Sequence, residues 1–207
     1  MDKENTLTQS EAKEAFASLD YHTATASEVD KLLSQFNLDP NTPDNVGETP
    51  LIKALWAGNV EIAALLLDKG ADMDARALCG HTPLMICVRK GLLDMMKLLV
   101  SKGSNIRQLS PCNRETLIAT AVWAHQPTLV KWLADAGVDI NTPDNLGWTP
   151  LMLAAFQGSE NMAKLLLFLG ADNSLRQQNG WTAEDIARFR NHPEVAALLA
   201  RAQPRRP

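Results

Sequence analysis

The sequence predicts an all-α solenoid of about six stacked helix-turn-helix units, and three observations predict it. The pentapeptide Asn41-Thr42-Pro43-Asp44-Asn45 returns verbatim at Asn141–Asn145, and each copy runs on into Gly-x-Thr-Pro-Leu, at Gly47–Leu51 and Gly147–Leu151. A Thr recurs at Thr49, Thr82, Thr116, Thr149 and Thr182, spaced 33, 34, 33 and 33 residues. A Gly follows 21 residues after each of the first four, at Gly70, Gly103, Gly137 and Gly170. The two single-residue markers keep one phase, and both place the one extra residue between Gly103 and Thr116.

Residues 1–43 read as an N-terminal cap of two helices, 8–20 and 27–36, the second carrying Val29, Leu32, Leu33 and Phe36. Four repeats follow, 44–76, 77–110, 111–143 and 144–176. In each, the Thr serves as helix N-cap, and the Pro behind it is tolerated at the first helical position. A short first helix follows, as in Leu51–Ala57 or Leu151–Gln157, and a Gly such as Gly58, Gly91 or Gly158 ends it. A second helix carries apolar residues at helical spacing, as in Val60, Ile62, Ala63, Leu65, Leu66 and Leu67. The third repeat departs: it reads Arg114-Glu115-Thr116-Leu117 without the loop Gly or the Pro, and has His125 where a Gly ends the first helix elsewhere. That repeat is predicted to be locally the weakest. Residues 177–201 form a shortened C-terminal cap, Thr182–Arg190 and Pro193–Arg201, and 202–207 a disordered tail. One helix pair cannot bury its apolar face alone, whereas stacked pairs can, so residues 1–207 read as a single domain.

This pattern resembles the ankyrin-repeat family. The residues that carry the resemblance are Asp44-x-x-Gly47-x-Thr49-Pro50-Leu51 with Gly70-Ala71-Asp72; Gly80-x-Thr82-Pro83-Leu84 with Gly103; and Asp144-x-x-Gly147-x-Thr149-Pro150-Leu151-x-x-Ala154-Ala155 with Gly170-Ala171-Asp172. The resemblance covers about Asn37 to Arg201. The family's His after Thr-Pro-Leu is absent, its place taken by Ile52, Met85, Ala119 and Met152. Its buried hydrogen-bonding role has either given way to apolar packing or been lost.

Composition narrows the function classes. The formal net charge is −4, which argues against a general nucleic-acid binder, since that needs a basic face to displace counterions. Three Cys in 207 residues make no disulfide framework and point to a reducing compartment. The N-terminus, MDKENTLTQSEAKEAF, is polar and lacks the apolar run of a signal peptide. The longest uncharged stretches, 116–130 and 145–159, are shorter than a membrane span and contain Pro. A cytoplasmic protein with no membrane or nucleic-acid partner is expected. There is no Gly-Lys-Ser/Thr phosphate loop, dinucleotide Gly cluster, His-Glu-x-x-His or Gly-x-Ser-x-Gly, so no enzyme activity, catalytic residue or cofactor is expected.

One group of loop residues, Cys79, His81 and Cys112 with Glu115 near in sequence, has the chemistry of a zinc site or of a Cys–His nucleophile pair. No Cys-x-x-Cys pairing supports the first and no orienting third group the second. Variable loop residues are the plainer reading, and no metal is expected. Cys87, at a small-residue position of a first helix, reads as core, as does Trp132 in its second helix, in phase with Leu65 and Leu98.

The remaining aromatic residues fall at two repeat positions. Trp56, Trp123, Phe156 and Phe189 share the end of the first helix, where the second repeat has Arg89. Trp148 and Trp181 stand just before the capping Thr, a position shared with Glu48, His81 and Glu115. The resemblance implies that both positions line a concave groove of loops and first helices that contacts partners. Aromatic rings at such positions are interface anchors by chemistry, although single rings also pack against neighbouring repeats or Arg and Lys stems. Val46, Leu78, Leu146 and Asn179 would adjoin them. Charge is uneven: residues 1–48 hold ten acids and three Lys, residues 176–207 six Arg and three acids. Such a dipole orients partners or favours head-to-tail contact between copies, or simply solvates the caps.

The sequence therefore predicts a protein-binding module, scaffold or inhibitor, monomeric or weakly self-associating. Its anchors are Trp56, Trp123, Trp148, Phe156, Trp181 and Phe189, and Glu48, His81, Arg89, Lys90, Glu115, Gln157 and Arg190 set the polarity around them. The alternatives are a metal-binding or enzymatic protein built on the Cys/His loops, and a self-associating assembly protein.

Overall fold

Seven helices among the described residues begin where a side chain accepts from a free backbone N–H of the first turn. In this computed structural model, which describes residues 7–110 and 114–202, Thr8, Thr25 and Thr182 each open a helix with a capping box. In those boxes the Thr hydroxyl accepts from the third helical N–H while the third residue's carboxylate accepts from the Thr backbone. Thr82, Thr116 and Thr149 accept from Met85, Ala119 and Met152 at 3.1–3.4 Å. Thr49 occupies the same place without that bond, its hydroxyl buried and unpartnered.

Twelve helices result among the described residues: α1 (Gln9–Ala17), α2 (Ala26–Phe36), α3 (Pro50–Ala57), α4 (Val60–Asp68), α5 (Pro83–Lys90), α6 (Leu93–Ser101), α7 (Leu117–Trp123), α8 (Pro127–Asp135), α9 (Pro150–Gln157), α10 (Glu160–Phe168), α11 (Ala183–Phe189) and α12 (Pro193–Arg201). There is no strand among these residues; an isolated bridge pairs Leu109 with Thr116. The described residues fall into two compact units that meet in sequence between Ser104 and Asn105. Cys112 and residues 203–207 of the expected tail lie outside the described residues.

In the first unit α3 packs on α5 while α2 packs on α4, and each first helix packs on the second helix of its own pair. In the second unit α7, α9 and α11 make one layer and α8, α10 and α12 the other. First helices are the core: Leu51, Ile52, Ala54 and Leu55 of α3, Leu84 to Val88 of α5 and Leu117 to Val122 of α7 are buried. Ile52, Met85 and Ala119 are among them and Met152 of α9 is buried too, so the position of the missing His is filled by apolar packing. Cys87 is fully buried, which pushes its thiol up to about 12. Trp132 departs from the core reading: it is half-buried, and Leu129, Val130 and Leu133 fill the buried side of α8 instead.

The duplicated pentapeptide has a specific job. The Asn41 side chain donates to the Gly70 carbonyl at 3.2 Å and accepts from the Asp72 N–H at 2.7 Å. Asn141 does the same to Gly170 and Asp172, at 3.5 and 2.8 Å. One amide thus ties each loop to the next. Asp44 Oδ1 accepts from the N–H groups of Val46 and Glu48, and Asp144 Oδ1 from those of Leu146 and Trp148, which closes the turn that presents the following position.

The described part of the third repeat, residues 114–143, is regular in spite of its sequence. Arg114 (φ 59°) and His125 (φ 54°) take the left-handed conformations that Gly47 and Gly58 take in the first repeat. Side chains there are strained by roughly 1–2 kcal/mol relative to glycine. His125→Gly and Arg114→Gly should each raise stability by about 1 kcal/mol in urea unfolding, whereas a Gly at Trp123, inside α7, should lower it.

The capping carboxylates make the fold acid-sensitive. Bonds from the Thr8 and Thr25 backbone N–H, then from their hydroxyls, hold Glu11 and Glu28 below the ordinary 4.5, and the same bonds from Thr182 hold Asp185 below 3.8. The unfolded chain then binds more protons as pH falls, so stability present above the unfolded pKa is lost on descent through the folded one. The urea midpoint should fall as pH drops below about 4.5, and less steeply in Glu11→Gln/Glu28→Gln.

Candidate interaction surface

The two outward positions of each repeat follow from how its first helix is buried. Most of that helix faces core, so the residue before its capping Thr and the residue at its C-terminal end are what remain for solvent. In the first unit these are Glu48, Trp56, His81, Arg89 and Lys90. The Trp56 ring meets the His81 ring edge-on, with centroids 6.3 Å apart, and the Lys90 ammonium lies 5.9 Å from the Trp56 centroid. Trp56, His81 and Glu48 are half-buried, Arg89 and Lys90 exposed. Burial, then the Arg89 charge, lowers the His81 pKa below its ordinary 6.5, so the imidazole is neutral at pH 7.

Cys79 Sγ lies 2.6 Å from His81 Nδ1, so two members of the Cys/His group come together. Cys112, the third, is outside the described residues. Among the described residues no three His, Cys, Asp or Glu side chains converge where a metal ion could sit.

The second unit holds the larger aromatic assembly. Phe156 is its centre: Trp123 and Trp148 meet it edge-on at 6.0 and 5.6 Å, and the Arg190 guanidinium carbon stands 4.2 Å from its centroid. Trp181 and Phe189 form a second edge-on pair at 5.0 Å. Edge-to-face pairs contribute about 0.5–1.5 kcal/mol beyond area burial and fix ring orientation. Gln157 donates to the Trp123 carbonyl at 3.2 Å, and Glu115 sits half-buried in its turn, its N–H donating to Ser110 Oγ at 3.2 Å. Exposure divides the rings: Trp123 is 44% exposed, Trp181 37% and Phe189 72%, whereas Trp148 and Phe156 are half-buried.

A cavity of about 200 Å³ opens among Trp148, Phe156, Trp181 and Phe189, over buried Ile186. Gln177, Asn179 and Arg190 complete its lining. The His192 ring closes against Gly158, where a Cβ would lie 2.6 Å from it, and its Nε2 is 3.2 Å from the Phe156 carbonyl. This contact sets the residue that precedes α12 against the turn that ends α9.

Sequence reasoning missed Phe168, which is 82% exposed at the end of α10. The signal was present: the same repeat position holds Asp68, Ser101 and Asp135, so an aromatic residue there breaks a polar column. Val46, Leu78 and Leu146, expected beside the aromatic positions, are exposed at loop tips.

A family model described as ankyrin repeats, in three copies, matches residues 21–110, 70–144 and 117–206. The chain belongs to the ankyrin-repeat family. Ankyrin repeats are protein–protein interaction modules, and the family is generally non-enzymatic. This ankyrin-repeat chain is 31% identical over 133 residues to a putative ankyrin repeat protein of Rickettsia bellii, covering 63% of the chain and 71% of that protein. It is 36% identical over 66 residues to human mitochondrial disaggregase, 32% of the chain and 9% of that protein. It is 46% identical over 43 residues to human protein phosphatase 1 regulatory subunit 27, 21% of the chain and 28% of that protein. No helix among the described residues is long and apolar enough to cross a membrane.

The His81 environment is directly measurable. NMR titration should place its midpoint below 6.5, and Arg89→Gln should move it upward, because the like charge that opposes protonation is gone.

Proposed function

We propose that this ankyrin-repeat chain holds a partner protein against the loop and first-helix positions of its repeats, without catalysing a reaction. Trp56, Trp123, Trp148, Phe156, Trp181 and Phe189 are the anchors, and Glu48, His81, Arg89, Lys90, Glu115, Gln157 and Arg190 set charge and hydrogen bonding around them. The observation that carries this reading is that aromatic rings recur at these two repeat positions, Trp56 and His81 in the first unit and five Trp or Phe in the second, with Trp123, Trp181 and Phe189 open to solvent. Large rings are enriched at binding hot spots, where one truncation removes a sizeable share of affinity. These rings are already oriented by edge-on contacts, so docking orders little and loses little entropy. The short likeness to a phosphatase regulatory subunit supports a role in which binding restrains or positions the partner.

Affinity capture from native lysate with mass spectrometry tests this. The intact chain should retain a partner that Trp56→Ala/Trp123→Ala/Trp148→Ala loses by tenfold or more, with helical circular dichroism unchanged. Equal capture by both would place binding elsewhere on the molecule.

A further inference from the structure

The ring-lined cavity of the second unit carries a chemical preference of its own. Four aromatic rings give it apolar walls, and about 200 Å³ is room for a single large side chain rather than a drug-sized ligand. Its one charged lining residue is Arg190. The nearby cations are committed: Arg176 donates to the Gly180 carbonyl, and Arg188 pairs with Glu184. Arg190 is exposed, stacks on Phe156, and makes no ion pair or side-chain hydrogen bond among the described residues. A guanidinium carries its N–H donors in one plane, a fork that matches a carboxylate. No acidic residue lines the cavity, and residues 176–207 carry six Arg against three acids.

We infer that this cavity takes a partner segment in which a large apolar side chain is followed by Asp or Glu, the apolar group entering among Trp148, Trp181 and Phe189 and the carboxylate seating on Arg190. A basic segment is disfavoured, because Arg190 already occupies the face of Phe156 and repels a second cation. The inference rests on the proposed partner-binding role and gives it a sequence preference.

The test uses the full chain and four acetylated, amidated ten-residue peptides of Gly and Ser with a central Phe-Glu, Phe-Gln, Phe-Arg or Ala-Glu pair, read by tryptophan fluorescence and NMR shifts. The Phe-Glu peptide should bind about tenfold or more tighter than Phe-Gln, with Phe-Arg weaker still and Ala-Glu not bound. Arg190→Gln should bring Phe-Glu and Phe-Gln to within twofold, Arg190→Lys should keep part of the gap, and 0.5 M salt should shrink it. Because Arg190 is exposed at the end of α11, circular dichroism should match the parent. Equal binding of Phe-Glu and Phe-Gln by the parent, tightest binding of Phe-Arg, a gap that survives Arg190→Gln, or no binding of any peptide at 1 mM would each overturn the inference. Trp56 and Trp123 lie outside the cavity lining. A lysate partner lost by Trp56→Ala/Trp123→Ala, with Trp148 kept, while the Phe-Glu preference is absent overturns this inference alone, and loss of both results overturns the functional reading as well.

Discussion

Helices of seven to eleven residues are too short to persist alone in water, because nucleation is not repaid over so few hydrogen bonds. Every helix among the described residues is in that range, so each depends on the apolar face offered by its neighbours in the same unit. That dependence explains why first helices such as α5 and α7 are buried along nearly their whole length. It also explains why the loops need their own fasteners: a helix pair packed on the next is held in register by the Asn41 and Asn141 amides, which join one loop's backbone to another.

Burying the first helix on most of its surface leaves few outward positions, and the chain places rings at them. A ring left wholly in water is unfavourable, and these rings relieve part of that by leaning on each other: Trp123 and Trp148 on Phe156, Trp181 on Phe189, Trp56 on His81. Basic side chains complete the arrangement, Lys90 over Trp56 and Arg190 over Phe156. Under the proposed function, the same contacts that make the rings tolerable in the free chain would preorganise them for a partner.

The repeats tolerate local strain where the sequence breaks its own rules. Arg114 and His125 adopt the left-handed backbone that glycine adopts elsewhere, because the packing of α7 against α8 and α9 fixes the turns on either side. The amide that clamps a loop in the first and fourth repeats is replaced at the equivalent places by Asp74, Gln108 and Ser174. Of these, Asp74 and Ser174 direct their backbone N–H groups to Asp72 and Asp172.

By itself the sequence determined the period, the helix starts at the Thr residues, the burial of Leu51, Leu84, Leu117 and Leu151, and the two repeat positions that carry Trp and Phe. These are legible because capping, turn chemistry and helical spacing are local and recur in one phase. Tertiary structure decided what no local rule contains. It left Trp132 half-buried where helical phase read it as core, and it closed the missing His position with Ile52 and Met85. It also gathered Trp148, Phe156, Trp181, Phe189 and Arg190, from two adjacent repeats, around one cavity. Periodicity states which side of a helix is buried; how far a ring is covered, and which charge lies over it, depends on the neighbouring repeat's side chains, which lie about 33 residues away in sequence and a few ångströms away in space.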